Sequence, residues 1–479
     1  MIAFRALQGA GWLVSSRFLG RFIDFFTLMI LARILTPGDF GMAALAMSLV
    51  VVVDTVLEMP VVQALVRLET LEQSHLDTAF TLSIMRSGVI AIIILLAAWP
   101  FAAFNSDPHL LPLVAVMAIS PVVKGFQSPA MVHFARGLGF RQTFLLELGG
   151  KLSAFVVATI TVLSGGTYWA IAANFVTVSL VATALSYCFA PYRPAFTLSR
   201  FQDFAGFIGW FSSSQLVSAI NWQLDRVLIG SLAGKTTLGQ YAVASDVAAL
   251  PTQSLIGPAL QPMMAAFSLI ATNPERLRQA FLKTARVAML ISVPACLGIS
   301  LTADLVTELL LGSKWIGAAP FLSILALSVI PIPYFQALYS VSLALNRPRI
   351  LFRLNVVDLC FRIVLIGIGF YLFSASGVSA ARVVLSLVMG AFYLSAVRSL
   401  LDLDLRTQLL NLWKIAVAAL VMVIWVFLLQ AEMADWPLND VAKLALIGTT
   451  GAAAYVAILL LLGIRLEAGQ GRLGLSDRW

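Results

Sequence analysis

Eight basic residues, Arg17, Arg21, Arg86, Lys124, Lys151, Arg226, Arg362 and Arg382, interrupt otherwise apolar stretches of this chain, as do the acids Asp24, Asp54, Glu58, Glu147, Asp225, Asp246 and Asp358. Two chemistries are open to charges placed in this way. Cations hold anionic groups, and phosphate above all: arginine through two parallel hydrogen bonds, lysine as a point charge. A buried carboxylate changes protonation with its surroundings, and so can tie a conformational change to a proton or sodium gradient. The densest grouping is SSRFLGRFID at 15–24. At a helical step of 100° per residue, Arg17, Arg21 and Asp24 point within about 60° of one another.

Several of these residues also have a plain structural reading. Arg17 lies within snorkelling reach of a membrane surface, and Arg86 and Lys151 lie within about three turns of a segment end. Arg226 follows Asp225 and can pair with an acid on another helix. Arg362 stands one turn after Asp358, the spacing of an ion pair within one helix. Most of the acids are expected to neutralise a neighbouring cation, with Asp24 and Asp54 the first candidates for ion coupling.

The elements that position these charges follow from composition. Of 479 residues, 60% are hydrophobic and 11% charged, with a mean hydropathy of +0.94. A water-soluble chain of this size needs far more charge to cover its surface, so lipid must supply the missing solvent. A helical crossing takes about 20 mostly apolar residues. Runs of that kind predict fourteen helices, at 9–34, 40–66, 77–104, 110–134, 141–164, 167–190, 204–232, 236–266, 279–303, 316–344, 349–373, 375–399, 412–430 and 439–463. The connections on one side carry Arg67, Arg136, Arg141, Arg193, Arg200, Arg347 and Arg349 among others, whereas the opposite side receives only Arg33, Lys235 and Lys314. By the positive-inside rule both ends are expected in the cytoplasm, and no cleavable signal peptide is expected. Pro60, Pro121, Pro251, Pro258, Pro294, Pro331 and Pro333 fall within predicted helices and mark bends.

Several function classes find no support. There is no GxxxxGK[ST], HExxH or GxSxG, and the loops are too short to hold the acceptor of a membrane glycosyltransferase or polymerase. Cys188, Cys296 and Cys360 lie far apart in apolar segments, and His75, His109 and His133 lack metal-ligand spacing. The net charge of +8 reflects topology and lipid headgroups rather than nucleic acid. No cofactor and no enzyme activity are expected.

An internal repeat is more informative. Setting 39–50 against 237–248 places Gly41 on Gly239, Ala44 on Ala242 and Ala46 on Ala244 at one offset. The two blocks hold six helices each, an even number, so they share one orientation. That predicts lobes related by an axis along the membrane normal, with a cavity between them.

The stretches ARILTPGDFGMAALA at 32–46, DRVLIGSLAGKTTLGQYAVA at 225–244, QPMMAAFS with NPERLRQAFLKT within 261–284, and LGSKWIGAAPFLSILALS at 311–328 resemble the polysaccharide (O-antigen and exopolysaccharide) flippases of the multidrug/oligosaccharidyl-lipid/polysaccharide exporter superfamily. The resemblance implies an all-α bacterial inner-membrane transporter. Its expected parts are an N-lobe at 1–190, a cytoplasmic linker at 191–203, a C-lobe at 204–399, a second linker at 400–411, an appended helix pair at 412–463 and a cytoplasmic tail at 464–479. It further implies that an undecaprenyl-pyrophosphate-linked oligosaccharide is flipped to the periplasmic leaflet by alternating access. The eight cations would line a wet cavity, and membrane lipids and polysaccharide polymerase or export machinery would be the partners. The alternative is a multidrug or organic-cation carrier of the same superfamily, which would need a mainly acidic cavity.

Overall fold

The computed structural model describes residues 2–477 apart from 60, 69, 138, 205–220, 222, 261–262, 434–435 and 470–471. Most of the predicted helix at 204–232, together with Pro60, lies outside the described residues, as does the side chain of Pro258. The chain divides into two compact units, Met1–Ala242 and Val243–Trp479.

Unit 1 begins with α1 (Ile2–Ile34), α2 (Pro37–Val56), α3 (Val61–Arg67) and α4 (Gln73–Phe104). The TPGDFG break between α1 and α2 is a helix start. Thr36 Oγ1 accepts from the Asp39 amide at 3.2 Å, and the Asp39 carboxylate accepts from the Thr36 amide at 3.0 Å. This capping box satisfies two otherwise orphaned donors, and Pro37 occupies the first turn, where a missing N–H costs nothing. Next come α5 (Leu110–Met117), α6 (Ile119–Gly125) and α7 (Val132–Arg136), which together match one predicted helix. The path bends by 58° between Gly125 and Pro129. The packing of α8 (Arg141–Leu163) on α9 (Trp169–Phe189) is close at Gly150, where a Cβ would stand 3.0 Å from the Val178 carbonyl. The last helix to start in this unit is α10 (Lys235–Ala248).

Unit 2 opens with a π-helical turn at Pro251–Ile256 and continues through α11 (Pro274–Leu301), α12 (Ala303–Leu311), α13 (Ala319–Ser328) and α14 (Ile332–Ala344). Pro331 and Pro333 sit at the start of α14, where proline is tolerated, and the chain bends there by 40°. The helical run α15 (Pro348–Leu401) is broken at Phe373 and Ser374, the latter at a left-handed φ of 55°. Gly369 and Gly377 press backbone on backbone across this break. A continuous helix would hold them about 12 Å apart, so the chain doubles back at the predicted boundary between 373 and 375. Then follow α16 (Leu405–Leu410), α17 (Trp413–Glu432) and α18 (Asp440–Leu461).

One core cluster of unit 2 gathers Phe267, Phe281, Tyr334, Leu385 and Met389. Tyr334 donates to buried Gln408 Oε1 at 2.5 Å, so this aromatic is spent on packing. The pair α17 and α18 lies on α11 through Ile415, Ala418, Met422 and Tyr455 around Val293. One departure from the all-α expectation is the tail, where β1 (Ile464–Gly469) pairs antiparallel with β2 (Arg472–Asp477).

Among the described residues, eight helices are long and apolar enough to cross a membrane, or up to ten when each bent pair counts as one span. Their outer faces carry large apolar side chains, such as Leu96 at 72% exposure on α4 and Leu461 at 81% on α18. Large apolar side chains exposed in such number along these helices require hydrocarbon around them, so this is a multi-pass helical membrane protein.

Candidate functional site

The charged stripe of α1 is divided between two faces. Ser16 donates to Glu147, and Lys151 Nζ reaches Asp24 Oδ2 at 2.5 Å and the Gly20 carbonyl at 3.2 Å. Residues 16, 20 and 24 are spaced one turn apart, as are 147 and 151, so a polar seam joins α1 to α8. Gly20 makes room for the Lys151 side chain, because a Cβ there would stand 3.1 Å from the ammonium. Trp12 packs against Phe144 one turn earlier, with ring centroids 5.0 Å apart and the planes tilted by 54°. Asp24 is therefore committed to α8. Arg17 and Arg21 are one position further round α1 and are exposed.

A second node forms at Asp54, near the end of α2. Arg86 of α4 donates to the Asp54 carboxylate at 2.6 Å and to the carbonyls of Asp54 and Leu57 at 2.8 and 2.6 Å. The last carbonyls of a helix lack partners within it and concentrate negative partial charge, so this guanidinium serves as cap and counter-ion together. Lys124, at the end of α6, approaches the other Asp54 oxygen at 3.4 Å. Its side chain is 49% exposed, against 14% for Arg86. Arg86 is thus a fixed part of the helix junction, while Lys124 keeps an accessible ammonium.

The paired glycines of the repeat meet in unit 1. A Cβ on Gly41 would strike the Lys235 carbonyl, and a Cβ on Gly239 would strike the Pro37 carbonyl. Lys235 stands to Pro37 as Gly239 stands to Gly41, at the repeat offset. The contact is therefore reciprocal, the signature of a local two-fold relation. Lys235 also forms an ion pair with buried Asp107. Buried Asp225 accepts from Tyr241 at 3.0 Å, and Arg226 beside it is half-buried.

In unit 2, Arg362 pairs with Asp358 at 3.1 Å one turn away, both 16% exposed. Arg382 donates to Ser245 at 3.3 Å. Within unit 1 the candidate cations divide between sites, Lys151 in the α1–α8 seam and Arg86 with Lys124 at the Asp54 node, while Arg362 and Arg382 belong to unit 2.

Other polar links had no local signal. Arg286 donates to Asn411 at 2.9 and 2.5 Å, and Gln430 donates to the Leu301 carbonyl at 2.8 Å. Each joins residues more than 120 positions apart, beyond the reach of helical periodicity.

The polysaccharide biosynthesis protein family matches residues 30–320. The chain is similar to the lipopolysaccharide biosynthesis protein WzxC of Escherichia coli (strain K12), being 24% identical over 420 residues that cover 85% of this chain and 84% of that protein. In fold it is similar to the lipid II flippase MurJ in an inward closed conformation, with a TM-score of 0.76 at 14% identity over 94% of this chain and 98% of that one. It is also similar to an inward-facing multidrug resistance MATE family transporter of the MOP superfamily, with a TM-score of 0.62 at 15% identity over 79% and 94% of the respective chains. The kinship read from the four sequence blocks is borne out, and the chain belongs to the polysaccharide biosynthesis protein family.

Proposed function

We propose that this protein is a flippase of the bacterial inner membrane that carries an undecaprenyl-pyrophosphate-linked oligosaccharide from the cytoplasmic to the periplasmic leaflet for polysaccharide biosynthesis. The family match, the relative WzxC and the MurJ-like fold support the reading. The observation that carries it at residue level is Arg21. This guanidinium lies exposed on a long helix, and among the described residues it has no ion-pair partner, while Ser16 and Asp24 are engaged by α8. The sequence reads α1 as a membrane helix, in which a cation so placed is costly unless water or an anion meets it, and pyrophosphate is such an anion.

In this reading both chain ends are cytoplasmic and fourteen helices cross the membrane. Fourteen is supported by the reversal at Phe373 and Ser374, because an unbroken α15 would be about 80 Å long against a hydrocarbon core of about 30 Å. The reciprocal Gly41 and Gly239 contact supports two six-helix lobes related by a two-fold, with α17 and α18 appended. Alternating access would run without catalysis or cofactor. Asp24 and Asp54 are the candidates through which a proton or sodium gradient would act, and polymerase or export machinery would take up the product.

A drug-cation carrier needs carboxylates available to its cargo. Asp24, Asp54 and Asp358 each already hold a cation, so no observation favours that reading.

The test is deletion in the source bacterium with complementation by wild type or Arg21→Ala. Deletion should trap lipid-linked repeat units on the cytoplasmic side, and Arg21→Ala should restore export poorly despite normal insertion. Normal outward appearance of the units after deletion would refute the assignment.

A further inference from the structure

A cavity of about 440 Å³ opens in unit 1 where the connections α3–α4, α6–α8 and the segment after α9 converge. These are connections on the cation-rich side of the sequence. Leu76, Ala130 and Phe134 form an apolar wall, and Arg193, His133 and Gln73 form the polar part of the lining.

The surrounding charges are unequally committed. Glu72 is held by Arg200 at 2.5 Å, and Asp203 faces His75 at 3.3 Å. Asp77 accepts from Tyr192 at 2.7 Å and from Gln73 at 3.0 Å. Arg136, on the turn after His133, reaches the Leu65 carbonyl at 3.4 Å. Every nearby acid therefore has a partner, whereas Arg193 and His133 are exposed and have no ion-pair partner among the described residues.

The walls are pinned in place. Ser128 donates through its hydroxyl to the Ala190 carbonyl at 2.7 Å and through its amide to Ser186 at 3.0 Å. Tyr192 is fixed at both ends, by Asp77 and by its ring contact with Phe80. The cavity is preformed, and its size lies within the range of small-ligand sites. An apolar wall beside an uncommitted guanidinium suits an amphiphilic anion, one oxyanion group on an apolar stem.

We propose that this cavity binds the phosphate of an anionic membrane lipid, with Arg193 as its principal contact and His133 as a second donor. The site is separate from the Arg21 face of α1, and its test does not depend on the transport reading.

Binding to the purified full-length protein in detergent would be measured with phosphatidylglycerol, phosphatidylcholine and inorganic phosphate. Thermal stabilisation and adduct counting by native mass spectrometry would be the readouts. Phosphatidylglycerol should bind at least tenfold more tightly than phosphatidylcholine, and R193Q should weaken it at least tenfold while H133Q weakens it less. R349Q, which removes an exposed cation of the other unit, should leave it unchanged. The melting temperature without lipid would establish that each variant is folded. Equal losses in R193Q and R349Q, or no preference for phosphatidylglycerol, would overturn the proposal. Phosphate that saturates the site and displaces phosphatidylglycerol at comparable concentration would overturn the lipid as the source of the anion.

Discussion

The hydroxyl of Tyr455 on α18 donates to the carbonyl of Leu290 on α11 at 3.0 Å. Leu290 stands four residues before Pro294, so it is the carbonyl that the proline leaves without its helical N–H. Hydrocarbon offers no substitute donor, and the appended helix pair supplies one. A helix near the end of the chain thus completes the hydrogen bonding of α11.

Tyr455→Phe should therefore lower thermal stability by about 1 kcal/mol, the usual worth of one such bond. The check is a double-mutant cycle in detergent with Pro294→Ala, which restores the backbone donor. The cost of losing the hydroxyl should shrink in the alanine background. Equal costs in both backgrounds would show that the bond does not answer the proline.

Gly41→Ala and Gly239→Ala should each destabilise by about 1 to 3 kcal/mol, because each new methyl meets a backbone carbonyl that cannot move aside without shifting its helix. The reciprocity of the contact predicts similar losses at the two sites. Melting temperatures of the single variants would test this, and a harmless methyl at either position would contradict the close approach.

At the Asp54 node the two cations should separate by role. Arg86→Gln removes three hydrogen bonds from a mostly buried group and leaves Asp54 poorly compensated, at a cost of about 3 to 5 kcal/mol. Lys124→Gln should cost about 0 to 1 kcal/mol, as expected of a half-exposed ammonium. Export measured on the stable Lys124→Gln protein then reports on cargo contact, and the ordering of the two melting temperatures tests the assignment.

Glu72 lies in the α3–α4 connection, where hydrogen bonds from Arg200 and Ser74 hold its carboxyl below the ordinary value of 4.5. Its contribution to stability is present above that ordinary value and is lost as pH falls through the lowered folded value. Melting temperature followed on acidification should fall less steeply in Glu72→Gln than in wild type, with the two curves converging at the acid end. Parallel curves would show that the pair with Arg200 carries no pH dependence.

Much of the architecture was legible in the sequence. Among the described residues, the apolar runs coincide with helical segments, since a bilayer admits few other structures and crossing length is set by its thickness. The breaks at Pro37, between Phe373 and Ala375, and at Pro331 and Pro333 were marked by residues that cannot continue a helix or by a polar interval. The ion pair of Arg362 with Asp358 was likewise legible from spacing alone, because both partners lie on one helix face.

Sequence by itself determined the solvent, the helical class and, through the four matching blocks, the family. Tertiary structure alone decided which charges were already spent. Arg17, Arg21 and Asp24 lie close together on a helical wheel, and the fold pairs Asp24 with Lys151, a residue 127 positions away. Arg86 has the composition of a phosphate ligand but caps the end of α2. Periodicity reports the face on which a side chain lies, and helix packing decides what that face meets.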